Sequence, residues 1–148
     1  MQAAVVTVLA STACSGSQGN IGGASAGPVG QSCSQPSQCY PGLDAGALGG
    51  QVTCLTQLQN GYCTQTCQSD ASCCAVPGEC VAGFNDVCAS FESSGQMYCF
   101  LGCDASDIAA APDAGTTDPD TFCQRWANAS FSCRSTGGGS ANRKFCGP

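Results

Sequence analysis

Beyond Cys33 the apolar residues come in ones and twos beside cysteines, as in Cys54-Leu55, Gly61-Tyr62-Cys63, Cys80-Val81 and Met97-Tyr98-Cys99, while Gly, Pro, Ser and Asn fill the intervals. That pattern predicts short extended segments joined by turns, two or three to each cysteine-rich stretch, with brief helices between them. Ser69-Asp70 can cap one helical turn through Cys73, and Asp104 or Ser106 can open another over residues 108–111 before Pro112 stops it. Asp118-Pro119-Asp120-Thr121 starts a third helix, amphipathic, with Phe122, Cys123, Trp126, Ala127 and Ser130 on one face. Trp126, the single tryptophan, is expected to anchor a core.

The start of the chain reads differently. No charge precedes Asp44, and residues 3–13 form an 11-residue weakly apolar run ending in the small-x-small trio Ser11-Thr12-Ala13. The run is too short to span a bilayer and is expected to be a signal peptide, residues 1–13, whose true start lies upstream because no Lys or Arg opens it. Cleavage after Ala13 places Cys14 first, and Leu9-Ala10-Ser11-Thr12-Ala13-Cys14 resembles the lipobox of bacterial lipoproteins, which implies a diacylglyceryl group on Cys14. Residues 14–32, rich in Gly, Ser and Ala, are expected to act as a flexible tether. Residues 15–31 of it would hold a folded module roughly 20–25 Å from the membrane.

Composition explains how so little hydrophobic patterning can fold. Leu, Ile, Val and Phe number 22 of 148 residues, whereas Cys numbers 15, so cross-links rather than burial must carry the fold, in an oxidising compartment. Setting Cys14 aside leaves 14 cysteines, an even number. The chain has no His, and no two cysteines stand two residues apart. Ser-His-Asp and Cys-His catalysis, His-containing zinc sites and Cys-x-x-Cys redox or zinc motifs are therefore absent, and we read no metal, cofactor or catalytic residue. The pairs Asp104/Asp107 and Asp118/Asp120 are read as solvated or helix-capping rather than catalytic, so no enzyme is expected. The net charge is −6, with all ten acids between Asp44 and Asp120 and all four bases (Arg125, Arg134, Arg143, Lys144) after them. So few bases exclude a nucleic-acid partner and suggest a mild attraction between two parts of one molecule.

The cysteine spacing repeats. Cys33 and Cys39 enclose five residues, as do Cys67 and Cys73, and Gly61-Tyr62-Cys63 and Met97-Tyr98-Cys99 each precede another cysteine by three residues, giving periods of 34 and 36. We therefore expect a small disulfide-rich fold of short β-hairpins and turns. It comprises two tandem cysteine-rich units, 33–67 and 67–108, a linker, 109–117, and a C-terminal helix and loop, 118–148. Alternation within units predicts the bridges Cys33–Cys54, Cys39–Cys63, Cys67–Cys80, Cys73–Cys99 and Cys74–Cys88. Cys103, Cys123, Cys133 and Cys146 remain for two bridges that dock the C-terminal segment. The flexible Gly137-Gly138-Gly139 loop between Cys133 and Cys146 is read as a ring bearing Arg134, Arg143 and Lys144, able to meet anionic glycans or lipopolysaccharide.

Gly61-Tyr62-Cys63-Thr64-Gln65-Thr66-Cys67, followed by Gln68-Ser69-Asp70-Ala71-Ser72-Cys73, resembles the cysteine-rich repeats of bacterial surface lipoproteins, as does Pro112-Asp113-Ala114-Gly115. The resemblance implies an exported protein at the outer membrane, the cell surface or outside the cell. It would be anchored through an N-terminal lipid, with a surface protein or glycan as partner and a binding or structural envelope role. Tyr40 and Phe84 are then candidate exposed contacts. The alternative is a secreted protease-inhibitor or toxin-like protein, since Cys67, Cys73-Cys74 and Cys80 supply the adjacent pair shared by knottin and whey-acidic-protein scaffolds.

Overall fold

The computed structural model describes residues 27–91, 95–137 and 142–148. The expected signal segment, Cys14, most of the tether and Gly138-Gly139 lie outside the described residues. Strands β1 (Val52–Cys54) and β2 (Cys63–Gln65), β3 (Asp86–Ser90) and β4 (Met97–Leu101), and β5 (Ser132–Ser135) and β6 (Lys144–Gly147) form three two-stranded sheets, each antiparallel. Short 3-10 turns cover Pro36–Gln38 and Asp70–Cys74, and two helices, α1 (Ala105–Ala110) and α2 (Pro119–Trp126), precede β5. This is a small disulfide-rich fold with seven bridges among the described residues.

In every sheet a cysteine stands directly opposite a cysteine: Cys54 and Cys63, Cys88 and Cys99, Cys133 and Cys146. Opposed residues of antiparallel strands share a face, so both sulfurs of each pair reach the same way, toward the chain that precedes the hairpin. The first of each pair is bonded to Cys33, Cys67 or Cys103, and the second to Cys39, Cys73 or Cys123. The two bridges lie side by side each time: the sulfurs of Cys33, Cys39 and Cys63 fall within 4.8 Å of one another, as do those of Cys67, Cys73 and Cys99, and of Cys103, Cys123 and Cys146. The arrangement thus occurs three times. In the third, the interval between its first two cysteines grows from five residues to nineteen, and α1 occupies the insertion.

Three expected bridges form, Cys33–Cys54, Cys39–Cys63 and Cys73–Cys99, and the last four cysteines do dock the C-terminal segment. Two expectations are corrected: Cys67 bonds Cys88, and Cys74 bonds Cys80. The cause is directional. Cys73 and Cys74 are consecutive on a tight 3-10 turn, where neighbouring side chains diverge by about a third of a revolution. With Cys73 facing the hairpin, Cys74 faces solvent and cannot reach Cys88, which is buried.

Each unit is joined to the next through backbone. Thr66, just past β2, bridges to Tyr98 of β4, and Gly102, just past β4, bridges to Phe145 of β6. The Cys67 and Cys103 amides donate to the carbonyls of Met97 and Lys144 at 3.2 and 3.0 Å. The end of the expected tether belongs to the same scheme: Val29 is buried, the Gly30 amide donates to Cys63 at 2.9 Å, and the Cys63 amide donates to Gln31 at 2.8 Å.

The interior is aromatic. Phe131, Tyr62, Phe100 and Phe145 form a chain of rings with successive centroids 5.3, 5.4 and 5.2 Å apart, drawing on all three hairpin regions. Helix α2 buries Phe122, Cys123 and Trp126, as its expected face requires. It stops at Trp126, however, so Ser130 lies beyond it and is exposed. Trp126 packs 4.9 Å from Phe84 and donates from Nε1 to the Ala114 carbonyl at 3.4 Å. The expected linker is therefore folded down: Ala109 and Ala110 complete α1, and Ala111 is buried.

Candidate functional site

Several sequence candidates are occupied with structural work. Tyr40 and Phe84 are not exposed contacts, being only 2% and 6% accessible: the first lies buried near Asp86, Tyr62 and Glu79, the second against Phe122 and Trp126. Cys133 and Cys146 do not close a basic ring, because each is bonded elsewhere. Arg143 is engaged with three carboxylates, Asp70 at 3.1 Å, Asp104 at 2.8 Å and Asp107 at 3.0 Å. The attraction expected between acidic and basic parts of the chain is concentrated in this one guanidinium. Arg125 lies over the Trp126 ring, 5.2 Å from its centroid. Asp104 is also the N-cap of α1, and Asp118 caps α2 by accepting from the Thr121 amide; the Thr121 hydroxyl first, and then that amide, hold its carboxyl below the usual range. Asp120 accepts from the Cys133 amide at 2.8 Å.

The region with chemistry left over lies in the second unit, around the additional bridge. Ser69 begins the 3-10 turn with its hydroxyl and that of Ser72 each meeting the backbone or the other, at 3.1 to 3.2 Å. The turn aims Cys73 inward and Cys74 outward. The chain then reverses through Pro77-Gly78, with Gly78 at φ +88°, a conformation that favours glycine, and returns Cys80 to Cys74.

Beneath this closure around five residues lies a polar interior. Glu79 is fully buried, accepting from the Val76 amide at 3.0 Å and from Gln65 Nε2. Gln65 Nε2 also donates to the Ser72 carbonyl at 3.0 Å, and Gln65 Oε1 accepts from the Gly50 amide at 3.2 Å. Asp86, at the start of β3, is 8% accessible, and its Oδ2 lies 3.1 Å from Cys80 Sγ. The Cys73 carbonyl oxygen approaches the same sulfur to 3.3 Å. Burial, followed by the Glu79 carboxylate, pushes the Asp86 carboxyl well above the usual range. Burial and then Asp86 likewise raise the Tyr40 and Tyr62 hydroxyls, with Tyr40 also facing Tyr62 and Glu79. The ion pairs among the described residues all belong to Arg143, so none neutralises Glu79 or Asp86. The clustered sulfurs here and elsewhere are disulfide-bonded and offer no thiolate for a metal.

An open groove of about 710 Å³ runs between α1 and residues 114–117 and is lined by Ala105, Ile108, Ala109, Ala114 and Thr117. No helix among the described residues is long and apolar enough to cross a membrane.

These features define a small protein held by disulfides, in which three hairpins share one cross-linking scheme and the middle one carries an extra bridge above buried carboxyls. Comparison with protein-family models, with characterised proteins and with solved structures finds no match. The cluster under Cys74–Cys80 was missed in the sequence because Gln65, Glu79 and Asp86 have no spacing that unites them. The bridge itself had a signal: Cys54 and Cys88 are separated by the same 34 residues as Cys33 and Cys67, which marks Cys74 and Cys80 as the additional pair.

Proposed function

We propose that this chain is an exported, disulfide-stabilised module of the bacterial cell surface, carried by a lipid on Cys14, that holds rigid loops out for binding or contributes to the envelope. The observation that supports it most directly is the complete use of sulfur: all 14 cysteines from Cys33 onward are consumed in seven bridges, an economy maintained only where thiols are oxidised. Cys14 is the one cysteine outside that set. Loops pinned at both ends by such bridges lose little conformational entropy when they meet a partner, which suits recognition.

Intact-mass analysis of the full chain, recovered from bacterial membranes before and after reduction, tests the proposal. The expected product begins at Cys14, carries a diacylglyceryl group and gains fourteen hydrogens on reduction, two for each bridge. A product with free thiols, or one that retains an unmodified Cys14, overturns it.

A further inference from the structure

We propose that the Cys74–Cys80 bridge is a thiol–disulfide exchange site, in which an external thiol is captured on Cys74 while Asp86 passes its proton to the departing Cys80 sulfur. Four observations converge on this bridge. It lies outside the scheme that recurs in all three units, so opening it leaves the other six bridges in place. Cys74 is exposed, whereas every other described cysteine is buried or half-buried, so an incoming thiolate meets this sulfur first. Cys80 is half-buried, which distinguishes the attacked sulfur from the leaving one. Finally, two oxygens stand at the Cys80 sulfur, Asp86 Oδ2 at 3.1 Å and the Cys73 carbonyl at 3.3 Å. A disulfide sulfur has no hydrogen to give either of them, but the Cys80 thiol formed on opening does.

The step balances as follows. A thiolate of a small-molecule or protein thiol bonds to Cys74 Sγ, the Cys74–Cys80 bond breaks, and its electron pair leaves on Cys80 Sγ, which takes the proton from Asp86. A second external thiolate then attacks the captured sulfur, releasing the external pair as its disulfide and Cys74 as a thiolate that is protonated from water. Two external thiols are oxidised and one bridge is reduced. Burial and Glu79 keep Asp86 protonated to higher pH than an ordinary carboxyl, and the raised Tyr40 and Tyr62 hydroxyls remain neutral throughout.

The test uses the oxidised full chain without denaturant, exposed to graded reduced glutathione, quenched with iodoacetamide and mapped by peptide mass. Cys74 is expected to carry glutathione, and Cys74 and Cys80 are expected to be alkylated at thiol concentrations that leave the other twelve cysteines paired. Asp86→Asn, which keeps the side-chain shape, should slow the exchange at least about tenfold, a low figure for a positioned proton donor because a thiolate is already a fair leaving group. Expressed per thiolate, the wild-type rate should fall as pH rises and Asp86 ionises, whereas the Asn variant should be flat. A Cys74→Ser/Cys80→Ser double variant should keep its six remaining bridges and show no early labelling. Glutathione on Cys80, opening of another bridge first, or equal pH-independent rates in wild type and Asp86→Asn overturns the proposal.

Discussion

Replacing Arg143 by Met removes the one side chain that, among the described residues, ties the second unit to the third by charge. The guanidinium is about one-third exposed, and its partners differ: Asp70 is 39% accessible, Asp104 25% and Asp107 5%. Pairs as exposed as the first two contribute about 0.5 kcal/mol each. The hydrogen bonds to the charged, buried Asp107 carboxylate contribute about 1.5–3 kcal/mol, because their loss leaves that carboxylate with only the Asn85 amide at 3.0 Å and the Asp104 amide at 3.2 Å. The sum is a loss of about 2.5–4 kcal/mol. Urea is the denaturant of choice, since guanidinium chloride screens the pairs in question. For an m-value of about 2 kcal/mol/M the midpoint should drop by about 1–2 M. Raising the salt to about 1 M, where the screening length is ~3 Å, should shrink the difference by the share of the exposed pairs but not by that of Asp107. Arg143→Lys should recover less than half, because an ammonium cannot fork to three carboxylates. An unchanged midpoint for Arg143→Met, or full recovery by Lys, would refute the reasoning.

Phe100→Ala removes the ring at the middle of the aromatic chain, which is fully buried, and should cost about 3–5 kcal/mol in the same urea assay. Full reduction and alkylation should abolish the cooperative transition observed by near-ultraviolet circular dichroism, since apolar burial is too sparse to replace seven cross-links. Gly61→Ala sets a left-handed position, φ +66°, against the Cys33 carbonyl, and should cut the yield of seven-bridge protein; Gly42→Ala, at φ +86° with open space around it, should cost only about 1–2 kcal/mol. Asp86 binds its proton more tightly folded than unfolded, so stability should fall as pH rises from the unfolded value of about 3.9 through the folded one. Asp86→Asn should accordingly gain on the wild type over that range, and pH-independent urea midpoints in both proteins would contradict the assignment.

Local chemistry was the most legible part of the sequence. Ser69, Asp104 and Asp118 occupy the N-cap positions their side chains suit, and Trp126 anchors the core on the face that helical spacing assigned it. Tertiary direction was not legible. Whether Cys74 or Cys67 reaches Cys88 depends on the pitch of one short turn, and composition does not encode that. The third occurrence of the cross-linking scheme was hidden by the insertion carrying α1, although Asp118-Pro119 reopens it much as Gln35-Pro36 opens the first. Tyr40 and Phe84 are buried rather than surface contacts, and for Phe84 the cover comes from Phe122 and Trp126 of a distant segment, which flanking residues do not report.

The pairing scheme also orders events in time. Among the described residues no bridge spans more than 30 residues, and apart from the additional Cys74–Cys80 closure each joins cysteines of a single hairpin set. A chain emerging N-terminus first from a ribosome or a translocation channel would present each set of four complete before the following set appears. Oxidation can then proceed as a procession, one set sealed behind another, and no early thiol has to wait for a mate still to be delivered.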